Sequence, residues 1–416
     1  MAQLKVLYIG PIPPEVGGTT EGGIATHCWE LALQARNNGY AVYIWSNSQV
    51  SSKICGVHLV GTSSNILSKA MRTCMVLRYW RKYKQICPLL YILRVPEFFY
   101  LFYKVSVLEY LVRTIRPHII HIHSLLESAI YCRLFIQNMP PVLVTDHGVG
   151  VVYQSNFDER AWHITKTQLA KRVSHAAKLA QHIVVVSEFA RESLLSALGV
   201  DNNVKVTTIL NPISPEKWPM LERGTLKNKL GLAGKKTLVF SGVHLPFKKK
   251  GLDLLLQAVA DDEWLRRNCI LIIITREEAG RVARQYMRSS GIKGIVLPPQ
   301  PQAQLSKYYN IGDVLVVPSR LEGIGLVYTE ALISGTPVVG FYKSVQELER
   351  ELGIYIGEGF NAATEGPKEL AEKIKKVLNT RVDRQALRKA VIEKLSWEVK
   401  FQEFENVYRE LIHNKQ

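Results

Sequence analysis

From Leu31 to Pro96 the chain contains no aspartate or glutamate, while nine lysines and arginines fall in the same stretch. Cysteine is scarce and scattered, six in 416 residues, with no C-x-x-C pair and no histidines at zinc-ligand spacing. That excludes a zinc ribbon or a disulfide framework and fits reduced thiols in a cytosolic chain. No run of about 18 apolar residues occurs. The most hydrophobic segment, Tyr91 to Val112, is broken by Arg94, Pro96, Glu97, Lys104 and Glu109, so no membrane span is expected. Nor is a signal peptide, because Lys5 to Gly10 already reads as a core strand. What is present is ordinary globular composition, 47% hydrophobic and 21% charged, which excludes wholesale disorder and fibrous folds. Lysine plus arginine exceed aspartate plus glutamate by 53 − 36 = 17. Such a surface attracts phosphates, whether of nucleic acid, anionic lipid or a nucleotide.

Short apolar runs alternate with helical patterns almost from end to end. Strands are predicted at Val6–Ile9, Ala41–Trp45, Ile119–Ile122, Val142–Thr145 and His182–Val186. A helix is predicted near Ile24–Gln34, ended by Asn37-Asn38-Gly39. Runs apolar at every position fit parallel strands covered on both faces by helices, the doubly wound α/β pattern. After a proline-rich break at Asn211–Pro219 the pattern restarts. New strands are predicted at Thr237–Phe240, Ile270–Ile274, Gly294–Leu297, Val314–Val317 and Pro337–Phe341. From about Lys368 onward the pattern is helical. Two α/β units joined near residue 212 are therefore expected.

Within the acid-free stretch, Met71, Met75, Val76, Leu77, Tyr79, Trp80 and Tyr83 interleave with basic residues. A basic amphipathic helix of this kind can lie on an anionic membrane surface; a solvated face backed by core aromatics has the same pattern. No nucleic-acid-binding motif accompanies the charge, and no nucleic-acid partner is expected.

The densest chemical signal is V-V-P-S-R-L-E-G-I-G-L-V-Y-T-E-A-L-I-S-G-T-P-V-V-G-F, Val316 to Phe341. A strand ends at Pro318-Ser319, a glycine loop follows, a helix begins near Leu326 or Val327, and Gly335 stops it. Gly323 and Gly325 let a ligand approach the backbone, and free N–H groups at the helix start suit a diphosphate. Glu322 and Glu330 repel phosphate and would instead accept hydrogen bonds from hydroxyls, so a nucleotide sugar would use both. Two solvated helix-end glutamates would show the same spacing. Lys248, Lys249 and Lys250 precede a second helix start at the end of a strand in the same unit, where open α/β sheets bind ligands. They could neutralise a leaving diphosphate.

With these residues in view, the stretch resembles the signature of the retaining glycosyltransferases of family four, E-x7-E within a GT-B fold. K-G-L-D-L-L-L-Q-A (250–258), G-G-I-A-T-H (22–27), P-H-I-I-H-I-H-S (117–124), V-V-V-S-E-F-A (184–190) and S-W-E-V-K-F (396–401) extend the resemblance over nearly the whole chain.

The resemblance implies two Rossmann-like domains facing across a cleft. Residues 1–211 with 397–416 would bind the acceptor, and residues 212–396 the nucleotide-sugar donor. By position, Glu322 would bind donor-sugar hydroxyls and Glu330 the ribose. The amides of Gly325, Leu326 and Val327 would meet the phosphates, Lys249 and Lys250 would neutralise them, and Gly23 would face the diphosphate or acceptor. His123, in H-I-H-S, resembles the family's histidine near the reacting centre, and His147 competes with it. Val243 stands where the family usually has arginine, and Asn211-Pro212 where it has N-G. No D-x-D motif occurs, and neither a metal nor another cofactor is expected.

The expected activity is retaining sugar transfer from a UDP- or GDP-sugar to an acceptor hydroxyl, in surface polysaccharide or glycolipid assembly. The acceptor could be lipid-linked and the protein cytoplasmic, peripheral at the inner membrane face. A GT-B epimerase or phosphorylase, or a nucleotide-sugar-binding protein without turnover, are the alternatives.

Overall fold

Strands that are apolar at every position need cover on both faces, and helices packed on two largely parallel sheets provide it. The computed structural model describes residues 3–20, 22–46, 51–61, 95–148, 166–198, 204–242 and 249–414. The basic aromatic segment Met71–Tyr83, Val243 and Lys248 lie outside the described residues. The chain divides into Met1–Leu210 with Lys400–Gln416, and Asn211–Val399.

In the first unit β1 (Lys5–Ile9), α1 (Gly23–Asn37), β2 (Ala41–Trp45), β3 (Ser52–Ile54), β4 (Val57–Val60), α2 (Val95–Ile115), β5 (Ile119–Ile122), β6 (Val142–Asp146), α3 (Lys166–Leu179), β7 (His182–Val185), α4 (Glu188–Leu198) and β8 (Lys205–Thr208) follow in order. Their sheet runs β3-β4-β2-β1-β5-β6-β7-β8. It is parallel except for the β3–β4 hairpin, whose two-residue turn, Cys55-Gly56, has positive φ at both positions. A cysteine in left-handed conformation is not a turn signal that sequence patterns reveal. β8 is also unmarked, because its lysine and threonines leave no apolar run.

In the second unit α5 (Arg223–Lys229), β9 (Lys236–Gly242), α6 (Leu252–Asp261), α7 (Glu263–Asn268), β10 (Cys269–Thr275), α8 (Glu277–Ser290), β11 (Gly294–Leu297), α9 (Gln302–Ile311), β12 (Val314–Val317), α10 (Leu326–Ile333), β13 (Val338–Phe341), α11 (Tyr342–Leu352), β14 (Gly357–Phe360), α12 (Pro367–Asn379) and α13 (Arg384–Leu395) alternate regularly. The sheet is wholly parallel, ordered β11-β10-β9-β12-β13-β14. β14, G-E-G-F, is too glycine-rich to show as a strand in the pattern. The order reverses between β9 and β12, and in the first sheet between β1 and β5. Ligands of such sheets bind beyond the strand ends at that reversal.

The last helix, α14 (Trp397–His413), starts in the second unit and belongs to the first from Lys400. Trp397 N–H donates to Ile213 O at 3.2 Å and Ile213 N–H to Leu395 O at 2.8 Å, which ties the helix start to the linker. Further on, the Tyr408 hydroxyl lies 2.9 Å from that of Tyr8 on β1 and 2.8 Å from His121 Nδ1 on β5. His121 Nε2 meets Thr145 Oγ1 on β6 at 2.7 Å. One buried polar chain thus crosses three neighbouring strands, and each hydroxyl has a partner, as burial demands.

In the second unit Tyr328 does similar work for α10. Its hydroxyl donates to Val317 O at 2.8 Å and accepts from Phe341 N–H at 3.0 Å, so the helix is fastened to β12 and β13 together. A Cβ on Gly340 would lie 2.5 Å from the Tyr328 ring, so the glycine makes room for it. Tyr328→Phe removes both bonds and should cost about 1–2 kcal/mol. Urea unfolding should show a lower midpoint at unchanged slope; an unchanged midpoint would deny Tyr328 this fastening role.

Candidate functional site

Gly251 caps α6 with φ +74°. Here the glycine is required twice over: besides the positive φ, a Cβ would stand 2.1 Å from Pro318 O. That close approach lays the loop after β9 against the loop after β12. Arg320 N–H donates to Lys249 O at 3.0 Å, and its guanidinium grips Asp253 at 2.8 and 2.7 Å. Lys250 Nζ then meets Glu322 Oε2 at 2.5 Å, and Ser319 Oγ donates to the same oxygen at 3.1 Å. Both charged side chains are largely buried, 13% and 15% exposed. Lys249 has its pKa lowered by burial first, opposed by Glu322 and aided by the like charge of Lys250.

Gly323 and Gly325 follow in the loop. Gly323 O accepts from Ser344 Oγ at 2.5 Å, which holds the loop on α11. Gly325 is the N-cap of α10 in extended conformation, with no side-chain cap. The first amides of the helix, at Leu326 and Val327, therefore lie beside the Lys250–Glu322 pair with the helix dipole behind them. Asn211 Nδ2 donates to Ile324 O at 3.3 Å, so the residue after the first unit also supports this loop.

Glu330 lies one turn into α10. Its Oε2 accepts from Tyr309 Oη at 3.1 Å. Surrounding protein raises its pKa from 4.5 to about 7, against the lowering effect of the Tyr309 bond. Tyr309, fully buried, is also hydrogen-bonded to Ser241 at the end of β9. Burial and the neighbouring carboxylate hold its hydroxyl protonated. Tyr309 stands in no motif, and Ser241, inside the strand end Phe240-Ser241-Gly242, shows no role by itself, since α9 and β9 meet α10 only in the fold; Ser319, inside the glycine-loop motif, shows no role until its hydroxyl is seen on Glu322.

In the first unit Gly23 opens α1, after Gly22 at φ +111°. His123 follows β5, and Gly10 lets it close in: a Cβ there would sit 2.9 Å from His123 Cβ. His147, after β6, puts Nε2 3.5 Å from His123 Nδ1. His27, one turn into α1, packs its ring edge-on against both, with centroids 4.9 Å from His147 and 5.7 Å from His123. All three are held toward the neutral form by burial, His147 down to about 4. For His27 and His123 the neighbouring imidazoles add to the effect. The sequence shows His27 only as the last letter of G-G-I-A-T-H; its spacing of four from Gly23 was the available signal.

Comparison with known proteins bears on both units. Residues 21–217 match the family model "Glycosyltransferase Family 4", and residues 222–394 match "Glycosyl transferases group 1". Among curated relatives, D-inositol 3-phosphate glycosyltransferase from Streptosporangium roseum is 33% identical over 143 residues, 31% of this chain and 32% of the relative. The same enzyme from Kineococcus radiotolerans is 26% identical over 226 residues, 50% and 51% of the two chains. The match thus spans between a third and a half of these relatives. Sucrose-phosphate synthase from Thermosynechococcus elongatus superposes with a TM-score of 0.72 at 16% identity, covering 99% of this chain and 100% of that one. Anabaena HepE, solved with UDP-glucose, gives 0.69 at 14% identity over 98% and 100%. At such identities the likeness shows the fold: two Rossmann-like units of the GT-B type.

Glu330 makes a stability prediction. Its carboxyl is more basic folded than unfolded, so the folded state gains from it fully below about pH 4.5, and loses that gain as pH rises through about 7. The full shift is worth about 3 kcal/mol, and the half-buried side chain brings that nearer ~2. Relative to Glu330→Gln, the wild-type chain should lose about that much between pH 5 and pH 8 in urea unfolding. Parallel pH profiles for the two would show that the carboxyl is not perturbed.

Proposed function

Because this chain belongs to the family 4 glycosyltransferases, we propose that it moves a sugar from a nucleoside-diphosphate sugar to an acceptor hydroxyl, with retention at the anomeric carbon. One observation supports this above the rest. At the reversal point of the second sheet a buried lysine–glutamate pair stands beside an uncapped helix start, with a second glutamate one turn further on.

A diphosphate suits the first amides of α10, where N–H groups and dipole attract anions without a desolvated counter-charge. Lys250 is already oriented there by Glu322, and Lys249 is close enough to feel both. When the donor binds, Lys250 turns from the carboxylate to the phosphate oxygens, and Glu322 is released to accept from sugar hydroxyls. Glu330, fixed by Tyr309, accepts from the ribose. The donor half is therefore residues 212–396. The acceptor half is residues 1–211 with 397–416, where Gly23 and His123 border the acceptor side.

Bond breaking at the anomeric carbon leaves negative charge on the diphosphate. Lys250, Lys249 and the helix amides stabilise it where it develops, which lowers the barrier for the chemical step. The acceptor hydroxyl attacks on the face the phosphate leaves, and its proton passes to the departing phosphate oxygen. His123, neutral and buried, orients the sugar rather than taking that proton. Lysines and amides meet the charge, so the reaction is expected to run without a metal ion.

A UDP-sugar is the first donor to test, since the HepE structure holds UDP-glucose. Surface polysaccharide or glycolipid assembly is the proposed setting, and the acid-free stretch 31–96 favours a lipid-linked acceptor at an anionic membrane face. No helix among the described residues is long and apolar enough to cross a membrane.

Lys250→Ala should lower turnover by about a hundredfold or more, as loss of an oxyanion-stabilising donor does. Glu330→Gln should weaken donor binding about tenfold, the value of a hydrogen bond to a charged acceptor. Product analysis with a panel of UDP- and GDP-sugars measures both; wild-type values in both variants would refute the assignment. Transfer should survive EDTA, and its abolition by the chelator would refute metal independence.

A further inference from the structure

We propose that His27, His123 and His147 form a site for one divalent cation of the imidazole-preferring class, Zn2+ or Co2+. One ligand atom from each of the three lies within 4.8 Å of the others. His123 Nδ1 and His147 Nε2 are 3.5 Å apart. That is long for a hydrogen bond. It is close to the separation, about 3.4 Å, of two nitrogens that each lie about 2.05 Å from one tetrahedral zinc ion.

The surrounding fold aims these rings rather than scattering them. His27 is carried by α1, His123 by the end of β5 and His147 by the end of β6, so three separate elements converge. The His123 and His147 rings are nearly parallel, at 17°, while His27 stands at 62° and 77° to them. Nearby His121 is excluded from the site, because Tyr408 and Thr145 engage both of its nitrogens. His27 and His123 are almost fully enclosed, and His147 is half-buried.

Three imidazoles without a carboxylate or thiolate ligand select zinc, cobalt, nickel or copper and discriminate against magnesium and calcium, which need oxygen. Three protein nitrogens leave a fourth position for water or an anionic group. Where His123 orients the sugar, as in the transfer reading above, an ion that captures its ring slows the reaction. The cation is then an inhibitor and not a cofactor. That consequence rests on the transfer reading; the site itself does not.

Titration of the full chain with Co2+ at pH 7.5 tests the site directly. Visible ligand-field bands should saturate at one equivalent, and Zn2+ should bleach them, whereas Mg2+ should not. His27→Gln and His147→Gln, checked for folding by circular dichroism, should each weaken binding at least tenfold. X-ray absorption of the wild-type chain with one equivalent of Zn2+ needs no variant and should show nitrogen ligands at about 2.0–2.1 Å. No Co2+ bands, binding unchanged in both folded variants, or sulfur ligands at about 2.3 Å would overturn the site. Binding without loss of transfer would instead overturn the role given to His123.

Discussion

The approach of Gly251 to the Pro318 carbonyl, at a distance that a single added carbon forbids, is the constraint on which the second unit's site depends. It exists because β9 and β12 are neighbours in the sheet although β10 and β11 separate them in the chain. Only with those two strand ends in contact can Lys250 reach Glu322, and only then can Arg320 lock Asp253 at the start of α6. The lysine is held in place by the carboxylate, so its buried ammonium already has a counter-charge.

The two units handle charge in opposite ways at equivalent places in their folds. In the second, a lysine and a glutamate are buried as a pair, while the half-buried Glu330 is hydrogen-bonded to a neutral tyrosine and is pushed toward protonation. In the first, the reversal between β1 and β5 is flanked by imidazoles that burial keeps neutral. The chain's excess of seventeen positive charges does not arise in either cluster, so the net charge and the site chemistry are separate properties.

Long polar aromatics connect the helices to the sheets in both units. Tyr328 ties α10 to β12 and β13, and Tyr408 ties α14 to β1 and β5. An aliphatic side chain would fill the same volume without choosing a register. A hydroxyl that must find a partner in an apolar interior permits only one placement of the helix. The helix α10 is consequently not free to slide along the sheet.

Much of this was legible in the residues. The uniformly apolar strands, the glycine loop before α10, its stop at Gly335 and the restart of the pattern after Asn211 are all local signals, set by periodicity and by what glycine and proline allow. So was the chemical character of Glu322, Glu330 and the lysines, because the residue type fixes what it can donate, accept or neutralise. The hairpin at Cys55-Gly56 and the strands β8 and β14 were hidden, since their neighbours in the sheet and not their own composition stabilise them. Which groups meet was hidden as well: Tyr309 on Glu330, Ser319 on Glu322, and His27 against His123 and His147. Those pairs are separated by between three and more than a hundred residues. Whether they touch is decided by the order in which strands lie side by side, a quantity that no single stretch of chain contains.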